Sequence, residues 1–186
     1  MIIPGRPSSP ADLFVAVTGH RAVADSGAVM AAAAHARRQI LDGYPQRHVV
    51  VLSALAEGAD RLLLGPWLDD PGVELVALLP LPRAEYVSDF DTADSRAEFD
   101  RLMARAAHVI ELPGHREDGA AYEAVGRALV AACDVLVALW DGEPPRGPGG
   151  TGAVVAESRK HRRPLAWIRV NRAVPGDVDL IWAAAP

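Results

Sequence analysis

The sequence predicts one α/β domain built on a doubly wound, mostly parallel sheet of about six strands with helices on both faces. Three observations carry that expectation. Short apolar runs alternate with longer amphipathic stretches, the runs are apolar throughout, and the most distinctive loops each follow one of the runs. A strand that is continuously apolar is buried on both faces, the condition of a parallel strand covered by helices. Strands alternating with helices link into right-handed βαβ units.

Residues 1–10 carry three prolines, one basic residue and no long apolar block, so they are expected to be a flexible lead-in and not a secretion signal. The domain is expected over 11–172 and a tail over 173–186. Leu13 to Val17 is the first strand, leading into Thr18-Gly19-His20-Arg21. Val29, Ala33, Ala36 and Ile40 then recur at helical spacing, with Arg37 and Arg38 on the other face. Gly43 and Pro45 stop that helix. Val49 to Leu52 is the second strand, followed by Ser53 to Asp60 and a helix through Leu62, Leu63 and Trp67 that ends by Pro71-Gly72. Val73 to Leu79 is the third strand, closed by Pro80 and Pro82. A polar and aromatic connection, 83–91, precedes a helix from about Thr92 to Ala106. His108 to Leu112 is the fourth strand, and Tyr122, Val125, Leu129 and Ala132 mark the next helical face. Val135 to Trp140 and Leu165 to Val170 are the fifth and sixth strands. Leu180, Ile181 and Trp182 in the tail predict docking on the body or on a partner.

The whole chain narrows the possibilities. Its 186 residues suit one domain, and 50% apolar with 23% charged residues is the balance of a folded globular protein. A net charge of −5 argues against a protein that tracks nucleic-acid phosphates, so no nucleic-acid partner is expected. The single cysteine, Cys133, excludes a disulfide within the chain and a multi-cysteine metal site, in keeping with a reducing, cytoplasmic setting. No run approaches the roughly 20 apolar residues of a membrane helix, so no membrane partner is expected. The six histidines are scattered over different elements, which predicts no metal site. No cofactor is expected. Abundant Ala, Arg, Pro and Asp with scarce Lys and Asn points to a high-GC, bacterial genome.

In an open α/β sheet, ligands bind outside the carboxyl ends of the strands. Three loops there carry the candidate site. In the first, Gly19 allows a sharp turn beside a ligand, His20 lies next to it, and Arg21 offers paired hydrogen bonds to phosphate. In the second, Ser53 to Asp60, a hydroxyl residue, Gly58, Ala59 and a helix start present backbone N–H groups to an anion. Glu57 and Asp60 either contact a ribose or cap the helix, with capping favoured. The third is the most distinctive. Trp140-Asp141-Gly142 is followed by Gly147-Pro148-Gly149-Gly150-Thr151-Gly152 and then a helix, so the glycines admit a phosphate to the helix N-terminus and Thr151 adds a hydroxyl. Neither the Walker loop nor the Gly-x-Gly-x-x-Gly dinucleotide fingerprint is present. Tyr86 and Phe90 are candidates for stacking on a base, or seal the edge of the core. Tyr122 points its hydroxyl to the ligand or, as its apolar helical face favours, packs in the core. Trp140 is a lid on the sheet or a stacking surface. Asp141 is the acid best placed to hold a ribose hydroxyl or activate water.

Thr18-Gly19-His20-Arg21, Ser53 through Arg61, Leu79-Pro80-Leu81-Pro82 with Tyr86 and Asp89-Phe90, Asp134 through Gly142, and Gly149-Gly150-Thr151 together resemble the SLOG superfamily over about Leu13 to Val170. That group includes the lonely guy (LOG) proteins, formerly lysine decarboxylase-like, and relatives of the DNA-processing protein DprA. The resemblance implies a Rossmann-like fold, a nucleotide or nucleotide-derived ligand at the Gly-Gly-Thr loop, and commonly a homodimer. The enzymatic branch carries Pro-Gly-Gly-x-Gly-Thr-x-x-Glu with an upstream Arg. Here Ala153 stands in place of the Thr, Ala156 in place of the Glu, and Glu157 lies one residue later, a rotation of about 100° on a helix. Arg127 lies in the corresponding helix but nearer Asp134 than in that branch.

These departures favour a nucleotide-binding domain, sensing or sequestering an ADP-ribose or NAD-related molecule or a nucleoside phosphate, with a separate effector protein to transmit the signal. The alternative is a nucleoside 5′-monophosphate phosphoribohydrolase in which Asp141 or Glu157 stabilises the oxocarbenium ion or orients water. A third possibility is an interaction module with a vestigial site, working through its tail.

Overall fold

Successive residues of the apolar runs go to opposite faces of one sheet, and each face meets its own helices. The computed structural model describes residues 9, 11–23, 26–116, 119–145, 147, 149–171, 174 and 176–183. Nearly all of the expected lead-in, Pro148 of the glycine-rich loop and residues 184–186 lie outside the described residues. The strands are β1 (Asp12–Gly19), β2 (His48–Ser53), β3 (Glu74–Leu79), β4 (His108–Glu111), β5 (Val135–Trp140), β6 (Leu165–Val170) and β7 (Val178–Ala183). The helices are α1 (Ser26–Gly43), α2 (Ala59–Leu68), α3 (Arg83–Tyr86), α4 (Ala93–Arg105), α5 (Ala120–Ala132) and α6 (Thr151–Lys160).

Leu13, Val15 and Val17 of β1 face Val29, Ala33 and Ile40 of α1 and Leu63, Leu64 and Trp67 of α2, with Phe99 of α4 in the same cluster. On the other face, Ala16, Leu52, Val76 and Leu136 meet Leu129 and Val130 of α5 and Val154 and Val155 of α6. The fold is therefore α/β, doubly wound and Rossmann-like. The strand order is β4-β3-β2-β1-β5-β6-β7, parallel throughout except that β7 pairs antiparallel with β6.

Seven strands form where the sequence led us to expect about six. The seventh comes from the tail, whose apolar residues alternate: Val178 and Leu180 lean on the α1 side of the core while Asp179 and Ile181 are exposed. Period-two alternation, kept here over Val178 to Ile181, is a strand signal, and pairing the segment with β6 covers an edge of unpaired backbone groups. The connection 83–91 also differs, since it folds into α3 and a 3₁₀ turn, Val87–Asp89.

From β1 the chain steps to β2, β3 and β4 on one side, then crosses back to lay β5 on the other. The crevice at the carboxyl ends of β1 and β5 is thus the topological switch point. Gly19 closes β1 there. A Cβ at this position would lie 2.5 Å from the Ala59 Cβ and 2.7 Å from the Leu139 carbonyl oxygen. Gly19→Ala is expected to cost about 1–3 kcal/mol through overpacking, read as a lower urea midpoint at unchanged slope.

Candidate functional site

At the switch point, the ends of β1 and β5, the loop before α2, the 3₁₀ turn and the starts of α5 and α6 enclose a cleft of about 730 Å³. Its floor is made by two loops clasped together. Gly58 adopts φ 81°, and a Cβ there would fall 1.9 Å from the Arg21 carbonyl oxygen. The Ala59 N–H donates to the His20 carbonyl at 2.9 Å. Between the loops lies Asp60, which is buried and hydrogen-bonded to the backbone of Ala56 and Gly19. Burial pushes its pKa up to about 7, against the pull of those backbone bonds and of the Arg21 and Arg61 charges. Asp60 is therefore a strut under the cleft and not an exposed helix cap.

The same loop stores strain. Leu55 has φ 58°, a left-handed conformation that costs a bulky residue about 1–2 kcal/mol. Two hydrogen bonds hold it: its N–H donates to Ser53 Oγ at 3.0 Å, and its carbonyl accepts from Arg61 Nε at 3.0 Å. Arg61 also donates to the Ser95 carbonyl at 2.8 Å, pairs with Glu98 at 3.0 Å and lies 4.4 Å above the Phe90 ring.

One wall is the start of α6. Gly150 is its N-cap, with no side-chain cap, and Thr151 and Gly152 line the cleft. First-turn amides of a helix lack intrahelical partners, and the helix dipole adds positive potential, so this wall attracts an oxyanion. Gly149 is held at φ 73° against α5, where a Cβ would come within 2.6 Å of the Tyr122 backbone. At the mouth, Tyr122 donates its hydroxyl to Asp89 at 2.7 Å, Arg21 pairs with Asp89 at 3.3 Å, and Arg116 pairs with the other Asp89 oxygen. His20 Nε2 accepts from the Asp141 N–H at 3.0 Å and is 3.1 Å from its carboxylate.

Of the residues singled out in the sequence, Gly19, His20, Arg21, Asp60, Tyr86, Tyr122, Trp140, Asp141, Gly149, Gly150, Thr151 and Gly152 line this cleft. The others point elsewhere. Ser53 is fully buried with its hydroxyl on the Leu55 N–H. Glu57 accepts from the Ser95 hydroxyl, and Gly58 and Ala59 form the clasp. Gly142, at φ 89°, turns the chain beside the Trp167 ring. The stacking role expected of Tyr86 and Phe90 does not hold. Both are buried and join Phe99 in an aromatic cluster with centroids 5.0–5.8 Å apart. Trp140 is the lid, since its ring tilts onto Trp167 and its Nε1 donates to the Glu143 carbonyl at 2.9 Å. Glu157 leaves the cleft and pairs with Lys160 at 3.5 Å and His161 at 3.3 Å. Among the described residues no group of acids, histidines and cysteines is placed to hold a metal ion, and no helix is long and apolar enough to cross a membrane.

Sequence reasoning missed Asp89 and Arg116 as site residues and Arg61 as a pin. Asp89 was quoted only as part of the resemblance, and Arg61 carried a signal of its own, since it precedes Leu62-Leu63-Leu64 on a helix that is otherwise mostly apolar.

No family model matches the chain, and no curated protein matches it. Among solved structures it is similar to DNA processing protein A from Helicobacter pylori, described for its unique single-stranded DNA binding mode. The match has a TM-score of 0.58 and 18% identity over 88% of this chain and 69% of that one. The likeness is one of fold. It bears out the Rossmann-like part of the resemblance read from the motifs, through a relative of the group that resemblance named.

Two expectations are corrected by this neighbour. The chain is not taken as a sensor of free nucleotides or a phosphoribohydrolase, and the exclusion of a nucleic-acid partner does not stand. The physical reasons are local. The exclusion rested on net charge, which does not describe the charges placed at one site, here Arg21 and Arg116 at the cleft mouth. Hydrolysis rested on Glu157, which faces away, and on Asp141, whose carboxylate lies against His20 and accepts from the Glu143 N–H at 3.1 Å.

The raised Asp60 pKa has a thermodynamic signature. Its folded value of about 7 exceeds the 3.8 of an ordinary aspartate, so the folded state holds the proton more tightly. Its contribution to stability is then full below about pH 4 and lost as pH rises through about 7. Denaturation midpoints measured from pH 4 to 8 are expected to fall more steeply in the wild type than in Asp60→Asn.

Proposed function

We propose that the chain is a single-strand nucleic-acid binding domain, and that its cleft holds backbone phosphates of the strand. The finer assignment to the SLOG group, on its DNA-processing side, goes with this reading. The observation that carries it is the uncapped start of α6 facing two arginines across an open cleft, at the switch point of a fold shared with a single-stranded DNA binding protein.

A phosphodiester carries one negative charge and two free oxygens. The first-turn amides of α6 and the Thr151 hydroxyl suit that group without reading a base. Arg21 adds a charge-assisted partner. Because Tyr86 and Phe90 are locked in the core, affinity would come from the backbone and depend on salt. About two neutralised phosphates correspond to a slope of about −1.4 in log K against log salt for a single strand.

Gly150→Asp tests this reading cleanly. Gly150 has φ −66° and ψ 156°, a conformation any residue adopts, and Asp is a favoured N-cap. The variant is expected to keep its fold while placing a carboxylate where the phosphate belongs. In fluorescence anisotropy with a labelled 15-mer of thymidylate, dT15, binding should weaken at least about tenfold, roughly 1.4 kcal/mol. Unchanged binding by Gly150→Asp, or no binding by the wild type, would sink the proposal.

A further inference from the structure

The mouth of the cleft contains an arrangement with the form of an anion site that already holds an anion. Three donors from separate parts of the chain converge on the Asp89 carboxylate. Arg21 from the β1 loop and the Tyr122 hydroxyl from α5 share one oxygen, at 3.3 Å and 2.7 Å. Arg116, from the connection between β4 and α5, takes the other. The Asp89 side chain is only 6% exposed, whereas those of Arg21 and Arg116 are 51% and 41% exposed. The acid is hidden beneath two cations that water reaches.

Resting on the strand-binding reading, we infer that Arg21, Arg116 and Tyr122 form a second phosphate seat, which the Asp89 carboxylate fills until a strand phosphate replaces it. The two groups are interchangeable in kind. Each carries one negative charge on a pair of oxygens, and arginine forks match either. Asp89 is delivered by a three-residue 3₁₀ turn and not by the sheet, so withdrawing it leaves the strands untouched. The Arg116 N–H is anchored on Glu85 at 2.8 Å, which keeps that arginine at the mouth when the carboxylate leaves.

Tyr122 joins the two seats. Its backbone supports Gly149, at the entrance to the α6 seat, while its hydroxyl reaches Asp89. Two seats joined through one residue suit a strand with several phosphates better than a lone anion. They also give Asp89 an unusual expected effect, in which deleting a well-bonded acid improves function.

The test uses the whole chain and two probes, labelled dT15 and inorganic phosphate. Asp89→Asn keeps an acceptor for Tyr122 but gives up the charge that competes with phosphate. It is expected to tighten dT15 binding about fivefold. Asp91→Asn, which removes a cleft-lining acid outside the cluster, should change binding about twofold or less at 0.15 M salt. The Asp89→Asn gain should vanish in an Arg21→Ala/Arg116→Ala background, and Arg116→Ala alone should weaken dT15. Inorganic phosphate, compared with chloride at equal ionic strength, should raise the melting midpoint of Asp89→Asn more than that of the wild type. Equal effects of Asp89→Asn and Asp91→Asn, weaker dT15 binding by Asp89→Asn, or a gain that survives the arginine deletions would overturn the second seat. If dT15 then still binds the wild type and Gly150→Asp abolishes it, strand binding at α6 stands alone. If phosphate stabilises Asp89→Asn selectively while dT15 binds neither protein, the seat stands and the strand reading falls.

Discussion

The close approach of the β1 terminus to the start of α2 is the constraint on which the cleft depends. Gly19 and Gly58 have no Cβ, and each faces a gap too small for one. Their absence lets the His20–Arg21 segment lie flat against the loop before α2, where the Ala59 N–H and the Asp60 carboxyl stitch the two together. Had either carried a side chain, α2 would stand away from β1 and Arg21 would lose its place at the mouth. The strained Leu55 belongs to the same construction, since the turn that brings Asp60 underneath requires its left-handed backbone.

Charge is divided by burial and not by sign. Arg61 lies in the interior, spends its donors on Leu55, Ser95 and Glu98, and covers the Phe90 ring. It ties α2 to α4 through Nε and Nη1, while its Nη2 is buried without a hydrogen-bond partner. Arg21 and Arg116 are half-exposed and meet a single shared acid. A net charge of −5 averages over these roles, so it describes solubility and long-range steering while the mouth of the cleft keeps its own potential.

This also explains what the sequence disclosed. β1, β2, β3 and β5 were the most legible because both of their faces are buried, which leaves unbroken runs such as Val49 to Leu52 and Val135 to Trp140. The α6 start was legible because glycines before a helix are rare without cause. β7 was harder, since it is an edge strand of which only Val178 and Leu180 pack on the α1 side of the core while Ile181 and Trp182 stay exposed. Asp89 stood in the resemblance without a role and Arg116 not at all, for a different reason. Their meaning comes from convergence over 27 residues of chain, and neither lies in a glycine-rich loop. Tyr86 and Phe90 misled because aromatic residues in a polar connection resemble a stacking platform, yet Phe99 on α4 gives them an interior to fill.

The departures on α6 separate holding a phosphate from cleaving a glycosidic bond. Both tasks use the helix start, but hydrolysis also needs an acid beside the developing positive charge. Six residues beyond Thr151, Glu157 is about 9 Å further along the axis and is engaged with Lys160 and His161. Ala156, at the position of the enzymatic branch's Glu, is exposed and does not line the cleft, so restoring an acid there would place it in solvent. Neither position of α6 therefore offers an acid to the cleft. What α6 turns toward the cleft is its first turn, Gly150, Thr151 and Gly152, and not an acid.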